Sequence, residues 1–428
     1  MKNSGVEWIG EIPDDWEVSK IGQLYEERRT KVSDTVYPPL SVTMQGILPQ
    51  LETAAKSDAH DDRKLVMAGD FAINSRSDRR GSCGISPQDG SVSLINTVLH
   101  PKTEMNPTYY NWLFHSFRFS DEFYKNGHGI VDDLWTTSWS EMKRIFIPLP
   151  PKSTQKKIAA YLDSKCSKIE ETIQNQQQVI EKLKAYKQSL ITEAVTGKIK
   201  IQNDQACGKY EEYKDSGVEY LGSIPQNWNI KRLRYIGKCQ NGISKGGEFF
   251  GSGYPFVSYG DVYNNLVLPE SVSGLIESTP EEQENYSVKA GDIFFTRTSE
   301  TIEEVGFTSV CLMTIENATF AGFVIRVRPF IDDLIPDFSK YYFSSNAHRR
   351  FFVKEMNLVT RASLSQDLLK RLPVLIPSKE EQKSIAEYLD KKCTAIDTAI
   401  EQKQKLIEKL TEYKKSLIYE CVTGKKSV

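Results

Sequence analysis

The sequence predicts an α+β protein built as a tandem duplication, with two long helices that pair as a coiled coil. Three observations predict this fold. A helical segment in the middle of the chain returns near its end, and a short motif at the start returns after the middle. Between these repeats, strand-like runs alternate with turn residues. We therefore expect two α+β domains, each followed by one long helix.

The long helices are predicted by a heptad seam. The segment QKKIAAYLDSKCSKIEETIQNQQQVIEKLKAYKQSLITEAVTGK (155–198) reappears without a gap as QKSIAEYLDKKCTAIDTAIEQKQKLIEKLTEYKKSLIYECVTGK (382–425). Apolar residues recur alternately four and three positions apart, the spacing of a coiled coil. At about 1.5 Å per residue, each helix is a rod of roughly 65 Å, which indicates a spacer. The predicted helix-pairing residues are Leu162, Ile169, Ile173, Ile180, Leu183, Leu190, Leu389, Ile396, Ile400, Ile407, Leu410 and Leu417.

Capping residues mark the ends of the two helices. Ser378 and Glu381 have the spacing of a capping box, and Gly197 and Gly424 fall where a left-handed residue ends a helix. The motif KNSGVEWIGEIPDDWEV at the start returns as KDSGVEYLGSIPQNWNI. The predicted organisation is a domain at 1–152, a long helix at 153–197, a linker at 198–213, a second domain at 214–378 and a second long helix at 379–424.

Composition predicts a folded intracellular protein. Hydrophobic residues make up 39% of the chain and charged residues 26%, which is ordinary for globular domains. The polar start and the lack of a long apolar run predict no signal peptide and no membrane span, so we expect a cytoplasmic location. The seven cysteines lack CxxC spacing and are expected to be reduced. The net charge of −2 neither supports nor excludes nucleic acid as a partner.

The bodies between the repeats share two further features. A Gly-Asp turn precedes an apolar strand at Gly69 and at Gly291, and each of these strands ends at an arginine. We also expect a strand over YPFVSYGDV, one aromatic helix near the end of each body, and no regular structure in the linker. The ranges concerned are 254–262 for the strand, 109–124 and 338–352 for the helices, and 198–213 for the linker.

Patterns for catalysis are weak. Asn106-Pro107-Thr108-Tyr109 is close to a base-holding loop of amino-methyltransferases, but it lacks the second proline and is better interpreted as a turn before a helix. The glycines around Lys245 lack the order of a phosphate-binding loop and indicate a flexible loop, with a phosphate contact as the alternative. Histidines and carboxylates show no metal-ligand spacing. We therefore expect no catalytic and no metal-binding residues.

DNA contact is the better-supported chemistry. Arginine at a strand end or in a loop can reach guanine edges, and neighbouring hydroxyl groups can position phosphates. The alternative is a set of solvated surface arginines. The candidate DNA-binding residues are Lys64, Arg76, Ser77, Arg79, Arg80, Lys245, Ser258, Tyr259, Arg297, Ser299 and Arg361.

Taken together, SGVEWIGEIPDDW, PLPPKSTQKKIAAYLD and LITEAVTGK, with their second copies, resemble the specificity subunits of type I restriction-modification enzymes. The resemblance implies that the bodies are target-recognition domains, each reading half of a bipartite double-stranded DNA sequence. It implies that the helices pair antiparallel and dock two modification (methyltransferase) subunits, to which restriction (helicase-nuclease) subunits are added. S-adenosylmethionine, ATP and Mg would be bound by those partners, and this chain would be a non-catalytic subunit without a cofactor.

The resemblance also carries geometric expectations. Antiparallel helices would give pseudo-two-fold symmetry and would bring Gln176 close to Lys403 near the centre of the pair. Half-sites on one face of DNA lie roughly 34–36 Å apart, a spacing that a rigid rod can fix. The GISPQDG turn of the first body is similar to one found in many recognition domains of the family, and the second body lacks it. A free-standing coiled-coil adaptor with two protein-binding domains, and an enzyme with an unrecognised site, are the alternative functions.

Overall fold

The structure is a computed structural model. It describes residues 1–50, 61–76, 79–129, 135–299, 304–330, 332–355 and 362–428. The chain forms two compact units, one of Met1–Gln177 with Lys403–Val428 and one of Gln178–Gln402. Each unit therefore combines one body with segments of both long helices. None of the helices in the described ranges is long and apolar enough to cross a membrane.

The first unit contains short strands and helices between its repeated motif and its long helix. Its strands are β1 Lys2–Asn3, β2 Glu11–Ile12, β3 Glu17–Lys20, β4 Tyr25–Glu27, β5 Lys31–Val32, β6 Leu40–Thr43, β7 Gly46–Pro49, β8 Arg63–Val66, β9 Phe71–Asn74, β10 Cys83–Ile85, β11 Gly90–Val92, β12 Asn96–Pro101 and β13 Phe146–Leu149. Its helices are α1 Ile21–Leu24, α2 Pro107–His115, α3 Phe117–Lys125, α4 Trp139–Met142 and α5 Lys152–Val195, which continues into the second unit.

The second unit repeats this plan. Its strands are β14 Ile201–Gln202, β15 Gln205–Ala206, β16 Tyr213–Asp215, β17 Ser223–Pro225, β18 Asn229–Arg232, β19 Gly237–Asn241, β20 Phe250–Val257, β21 Leu275–Ile276, β22 Ile293–Thr296, β23 Thr298–Ser299, β24 Thr308–Val310, β25 Thr319–Phe320, β26 Val324–Pro329, β27 Ala362–Ser363 and β28 Pro373–Ile376. Its helices are α6 Tyr259–Asn264, α7 Pro280–Asn285, α8 Pro336–Ser344, α9 Asn346–Glu355, α10 Gln366–Arg371 and α11 Lys379–Val422, which continues into the first unit.

An antiparallel four-stranded sheet lies at the centre of each unit. The strand order is β10-β9-β12-β4 in the first unit and β24-β22-β26-β19 in the second, so β12 and β26 are equivalent inner strands. Aromatic rings from the helices pack on the sheet, with ring centroids 4.5 Å apart between Phe71 on β9 and Phe114 on α2. Helices and sheet thus share one core in each unit, and the predicted α+β class is confirmed.

The aspartates of the two Gly-Asp turns are buried and paired. Asp70 accepts hydrogen bonds from Arg28 Nε at 2.6 Å and Nη2 at 3.1 Å. Asp292 accepts from Arg328 Nε at 2.7 Å and Nη2 at 2.6 Å. The glycines before them have φ angles of 90° and 89°, which suit glycine. Arg28 directly follows β4 and Arg328 lies on β26, so the bodies reach the same two-point ion pair from different sequence positions.

The aromatic stretches predicted as single helices are each two helices. Ser116 breaks the first stretch, because its backbone is extended (φ −67°, ψ 140°) and its hydroxyl accepts a hydrogen bond from Phe119 N. Ser345 interrupts the second stretch with φ −73° and ψ 159°. A serine with an extended backbone ends one helix and can cap the next. The aromatic residues on both sides continue the helical pattern, so the sequence does not indicate the break.

The linker predicted to be irregular contains a small hairpin. β14 and β15 pair through a two-residue turn at Asn203 and Asp204, whose φ angles are 52° and 55°. Asparagine and aspartate tolerate this left-handed backbone. Ile201 is buried in the core of the second unit, and Tyr210 stacks edge-on against Trp228. The segment is therefore part of the second unit rather than a free tether.

In the first unit the two long helices run antiparallel. Lys414 contacts Glu170, and Lys403 Nζ donates to Gln176 Oε1 at 3.0 Å. As the residue numbers rise along α5, those of the partners on α11 fall. The predicted proximity of Gln176 and Lys403 and the antiparallel direction are confirmed.

The second unit shows the same antiparallel pairing. Lys187 Nζ lies 2.6 Å from an Asp397 carboxylate oxygen, and Lys391 lies 3.4 Å from Asp204, just past the end of α5. The predicted seam residues named above are all buried or half-buried in their units. At the start of α11, Glu381 N donates to Ser378 Oγ at 3.2 Å and Ser378 N to Glu381 Oε2 at 3.3 Å, which confirms the capping box.

The end of α11 docks on the repeated motif of the first unit. Lys425 donates hydrogen bonds to the carbonyl oxygens of Ile9 and Glu11. Gly424 has φ +74°, and a Cβ there would lie 2.3 Å from Pro13 Cδ. The two repeated sequence blocks, Ile-Pro with tryptophan and Val-Thr-Gly-Lys, therefore contact each other.

The end of α5 makes the matching contact in the second unit. Lys198 Nζ donates to the carbonyl oxygens of Leu221 at 3.1 Å and Ser223 at 2.5 Å. Gly197 has φ +72°, and a Cβ there would lie 2.4 Å from Pro225 Cδ. The helix of the first copy thus completes the second unit, and the helix of the second copy completes the first.

Candidate nucleic-acid interface

Four predicted residues of the second body, Lys245, Ser258, Tyr259 and Arg297, belong to segments that meet at one turn, 321–324, which joins β25 to the inner strand β26. Val324 N donates to Ala321 O at 3.0 Å and closes this β25–β26 turn. Two flanking segments attach to it, since Ala321 N donates to Val257 O at 3.0 Å and Arg297 N donates to Phe323 O at 2.9 Å. The ends of β20 and β22 therefore meet at the turn.

Arg297 stands beside the tip of this turn. Its Nη1 lies 3.5 Å from Gly322 O, and its carbonyl oxygen accepts from Leu364 N at 2.7 Å. Ser299 follows in β23, where its backbone pairs with Ala362. The side chain of Ser299 and the whole of Arg361 lie outside the described residues. The structure thus places one arginine of the predicted set directly at the turn.

Ser258 and Tyr259 follow the end of β20, and the strand predicted over 254–262 is wrong in its second half. Ser258 Oγ accepts from Asp261 N at 3.2 Å, and the Asp261 carboxylate accepts from Ser258 N at 2.8 Å. This capping box starts α6 and ends the strand at Val257. Tyr259 OH donates to Thr298 O at 3.0 Å, so its ring packs against the segment after Arg297.

Lys245 belongs to a loop that packs against the same turn. Ile243 N donates to Phe320 O at 2.8 Å, and a Cβ on Gly242 would lie 2.2 Å from that oxygen. The Lys245 ammonium lies 2.6 Å from Glu282 Oε2 and donates to Glu277 O at 2.7 Å. Lys245 is near the turn, with its charge already paired.

The first unit has an equivalent turn, 93–96, between β11 and β12. Asn96 N donates to Ser93 O at 3.0 Å and closes this β11–β12 turn. Ser75 N donates to Ile95 O at 3.3 Å, as Arg297 N does to Phe323 O in the second unit. Lys64 Nζ donates to Asn96 O at 2.8 Å and lies 3.6 Å from Glu27. Lys64 therefore adds a cation to the base of the turn.

The predicted arginines of the first body are exposed, and Arg76 lies next to this turn. Arg76 directly follows Ser75, and its carbonyl oxygen accepts from Tyr124 OH at 2.8 Å. The Arg80 guanidinium lies 4.4 Å from the centre of the Tyr124 ring and 2.5 Å from an Asp121 oxygen. Arg79 N donates to Arg76 O at 3.3 Å. Lys64 and Arg76 thus both lie at the turn, Arg80 lies against α3, and Ser77 falls outside the described residues.

Two other arginines of the second body have internal roles. Arg326 on β26 is buried and donates to Gln240 and to the Ser287 carbonyl. Burial is the main cause that lowers the pKa of Arg326 to about 10. Arg328 is held by Asp292, as described above. These side chains stabilise the sheet and do not face a partner.

Apolar side chains at the tips of both turns were missed by sequence reasoning. Leu94 and Ile95 at the tip of the β11–β12 turn are 37% and 36% exposed, and Phe323 at the tip of the β25–β26 turn is 63% exposed. In the sequence each stands next to a strand and resembles a core residue. The available signal was a turn-forming pair, Ser93 with Asn96 and Ala321 with Gly322, just before the strand.

The described residues contain no candidate metal site. Across these parts of the chain, no three His, Cys, Asp or Glu side chains are grouped to hold a metal ion. Asn106 caps α2, its side chain accepting from Tyr109 N at 2.9 Å, so the interpretation of this motif as a turn before a helix is confirmed.

Comparison with known proteins identifies the family. A model of the type I restriction modification DNA specificity domain matches the chain twice, at residues 13–182 and 225–411. The MjaVIII specificity subunit of Methanocaldococcus jannaschii is 25% identical over 97% of this chain and 93% of its own length. The EcoKI specificity subunit of Escherichia coli is 24% identical over 65% of this chain, and the match spans only 57% of that subunit.

Solved structures share the fold. A chain from a structure of a type I R-M system, described for its complex assembly and conformational transition, superposes with a TM-score of 0.73 at 14% identity, covering 96% of this chain and 98% of its own. The HsdS subunit from Thermoanaerobacter tengcongensis gives a TM-score of 0.53 at 16% identity, covering 97% and 98%. The curated relatives are named specificity subunits, which agrees with the expectation of a non-catalytic DNA-recognition component. Because the family model covers most of the sequence, in two tandem copies, the chain belongs to the type I restriction-modification DNA specificity family.

Proposed function

We propose that this chain is the DNA sequence-specificity subunit of a type I restriction-modification complex, in which each unit reads one half of a bipartite target. The observation that carries this proposal is the duplicated match to the specificity domain, each copy of which contains an equivalent turn flanked by cations. Two DNA-recognition units in one chain suit a target with two separate half-sites.

The two turns suit DNA through their side-chain chemistry. Arg76 is exposed beside the β11–β12 turn, and Arg297 lies at the tip of the β25–β26 turn. Arginine can bind guanine edges or phosphates. Ser258 and Tyr259 instead donate their hydroxyl protons to Asp261 and to Thr298 O. Because the flanking sequences differ between the bodies, the two half-sites would differ in sequence.

Methyltransferase subunits would dock on the outer faces of the long helices. Tyr186 and Tyr413 occupy the same position in the two helix copies and are 56% and 51% exposed. Exposed lysines, Lys182 and Lys409, precede them by one helical turn. Repetition of an exposed tyrosine and lysine suits the binding of two identical subunits. S-adenosylmethionine, ATP and Mg would then be bound by the methyltransferase and the restriction (helicase-nuclease) subunits.

Methylome sequencing tests this proposal. The chain is co-expressed with a methyltransferase subunit from the same source in a host that lacks other adenine methylation, and the host DNA is sequenced for modified adenine. We expect one bipartite motif that disappears when this chain is omitted. Modification without the chain, or a motif that is not bipartite, would contradict the proposal.

A further inference from the structure

We propose that the tip of the β25–β26 turn is a DNA-reading element, and that the Phe323 ring makes an apolar contact with a base of the half-site read by the second unit. This inference rests on the proposed function, because it requires that the second unit binds duplex DNA. The ring would contact a thymine methyl group in the major groove or press against an exposed base step, the two apolar surfaces that duplex DNA offers to an aromatic side chain.

The fold holds Phe323 outward on a rigid turn. The Phe323 carbonyl oxygen accepts from Arg297 N at 2.9 Å, and the turn is closed by Val324 N and Ala321 O at 3.0 Å. The neighbouring Gly322 is packed so closely that a Cβ there would lie 2.2 Å from Ser244 Oγ. The backbone on both sides of the ring is therefore fixed before any partner arrives, which lowers the entropic cost of a contact.

A cation lies beside the tip of the turn. Arg297 Nη1 lies 3.5 Å from the carbonyl oxygen of Gly322, the residue before Phe323. Ser258, whose hydroxyl donates to Asp261, follows Val257, which is bonded to the same turn. The Phe323 ring can meet a base while Arg297 meets a phosphate or a guanine edge.

The first unit repeats the arrangement with different side chains. Leu94 and Ile95 occupy the tip of the β11–β12 turn, and Arg76 and Lys64 flank it. Exposed apolar side chains contribute little to folding, so their presence at the equivalent turn of both bodies indicates a shared contact. A leucine with an isoleucine in one unit and a phenylalanine in the other would favour different bases.

The opposite end of β26 provides a matched comparison. Phe330 directly follows this strand and is 61% exposed, against 63% for Phe323. The two aspartates that follow it, Asp332 and Asp333, are ion-paired with Lys379 and Lys231. Phe323 and Phe330 thus mark the two ends of one strand at nearly equal exposure, and Arg297 lies at the Phe323 end.

The experiment compares Phe323→Ala with Phe330→Ala in the complete methyltransferase complex. The probe is a plasmid library carrying the motif found for the wild-type chain together with every single-base change in both halves. Methylation of each member is read by sequencing. We expect Phe323→Ala to lower methylation of the parent motif about tenfold and to change base preference in one half only. Phe330→Ala should stay within about twofold of the wild type, and Phe323→Tyr should keep the base preference.

Three outcomes would overturn the inference. Equal behaviour of the two alanine variants would show that Phe323 does not touch DNA. Loss of methylation at all sequences, with less methyltransferase co-purified, would assign the ring to a protein contact. A wild-type complex that methylates no bipartite motif would remove the proposed function and the inference with it. Thermal unfolding of both variants checks that the fold is intact, since each side chain is exposed.

Discussion

Lys403 Nζ donates a hydrogen bond of 3.0 Å to Gln176 Oε1, joining two seam positions of the antiparallel helices. The neighbouring seam positions are apolar: Ile173 and Ile180 on α5, Ile400 and Ile407 on α11. A polar pair between apolar seam positions is satisfied in only one alignment of the helices, so it specifies register at a cost in stability. The sequence repeat placed these residues at equivalent positions, and the structure shows them bonded.

Replacing the pair with leucines should stabilise the protein. In the double variant Gln176→Leu/Lys403→Leu, apolar contacts replace a partly desolvated polar bond, and the free energy of unfolding should rise by about 1–2 kcal/mol. Urea denaturation measures the change. The matched control is Gln177→Leu/Gln402→Leu, at exposed neighbouring positions, which should leave stability unchanged. A less stable leucine pair would mean that the polar bond stabilises the helices.

Arg76→Ala should weaken recognition of one half-site only. Arg76 is exposed beside the β11–β12 turn, and losing a good arginine–base contact costs about 1–3 kcal/mol. Arg80→Ala should act in the same direction but less strongly, because Asp121 already pairs with Arg80. Methylation of the plasmid library measures both. Arg144→Ala, at another exposed arginine of the first unit, is the control. Equal losses at both halves would show that Arg76 contacts DNA non-specifically.

Removing the matched tyrosines should weaken assembly with the methyltransferase. Tyr186→Ala and Tyr413→Ala each remove one exposed aromatic ring, a residue type enriched among interface hot spots, and each should cost about 1–2 kcal/mol of binding. Titration by isothermal calorimetry should show one weakened site in each single variant and two in the double variant. Tyr235→Ala removes a ring that is 57% exposed elsewhere in the second unit and should have no effect. Unchanged affinity in the double variant would place the docking surface elsewhere.

The buried His348 should make the protein less stable at acidic pH. Burial, helped by the charge of Arg349, lowers the pKa of His348 to about 3, whereas an unfolded histidine titrates near 6.5. Between these values the unfolded chain binds a proton that the folded chain excludes, so the free energy of unfolding falls as the pH drops. This histidine should account for about 2 kcal/mol of lost stability between pH 7 and pH 5.

His348→Phe should remove that part of the pH dependence. Phe119, the matching helix position of the first unit, is buried like His348, so the variant places a ring type that the fold already accepts. Urea denaturation at pH 7 and pH 5 should show a smaller loss in the variant than in the wild type. His128→Ala, at an exposed histidine, should leave the loss unchanged. An equal loss in His348→Phe would assign the acid sensitivity to other groups.

The periodic and local parts of the fold could be predicted because their causes lie in neighbouring residues. The heptad spacing defines the seam, and Ser378 with Glu381 defines the start of α11. The hairpin at Asn203 and Asp204 and the helix break at Ser116 were missed, although both have local causes. Each lies in a stretch whose overall composition indicates something else, a polar linker in one case and a continuous aromatic helix in the other.

The candidate interface could be predicted only in part, because exposure depends on the sheet. Arg326 and Arg328 are two residues apart on β26, which is the spacing of residues on one exposed face of a strand. Arg326 is nevertheless buried, and Arg328 is bound by Asp292. Phe323 precedes the same strand and resembles a core residue, but the turn directs it outward. Which face each side chain occupies follows from strand pairing between distant segments, and no local pattern encodes it.

The long helix of each copy ends against the repeated motif of the other copy. This arrangement has a consequence for synthesis on the ribosome. The second unit consists of Gln178–Gln402, so all of its residues emerge before translation ends. The first unit needs Lys403–Val428, including Lys425, which bonds to its N-terminal motif. Although N-terminal domains usually fold first during translation, here the half made first closes its core only after Lys425 has been synthesised.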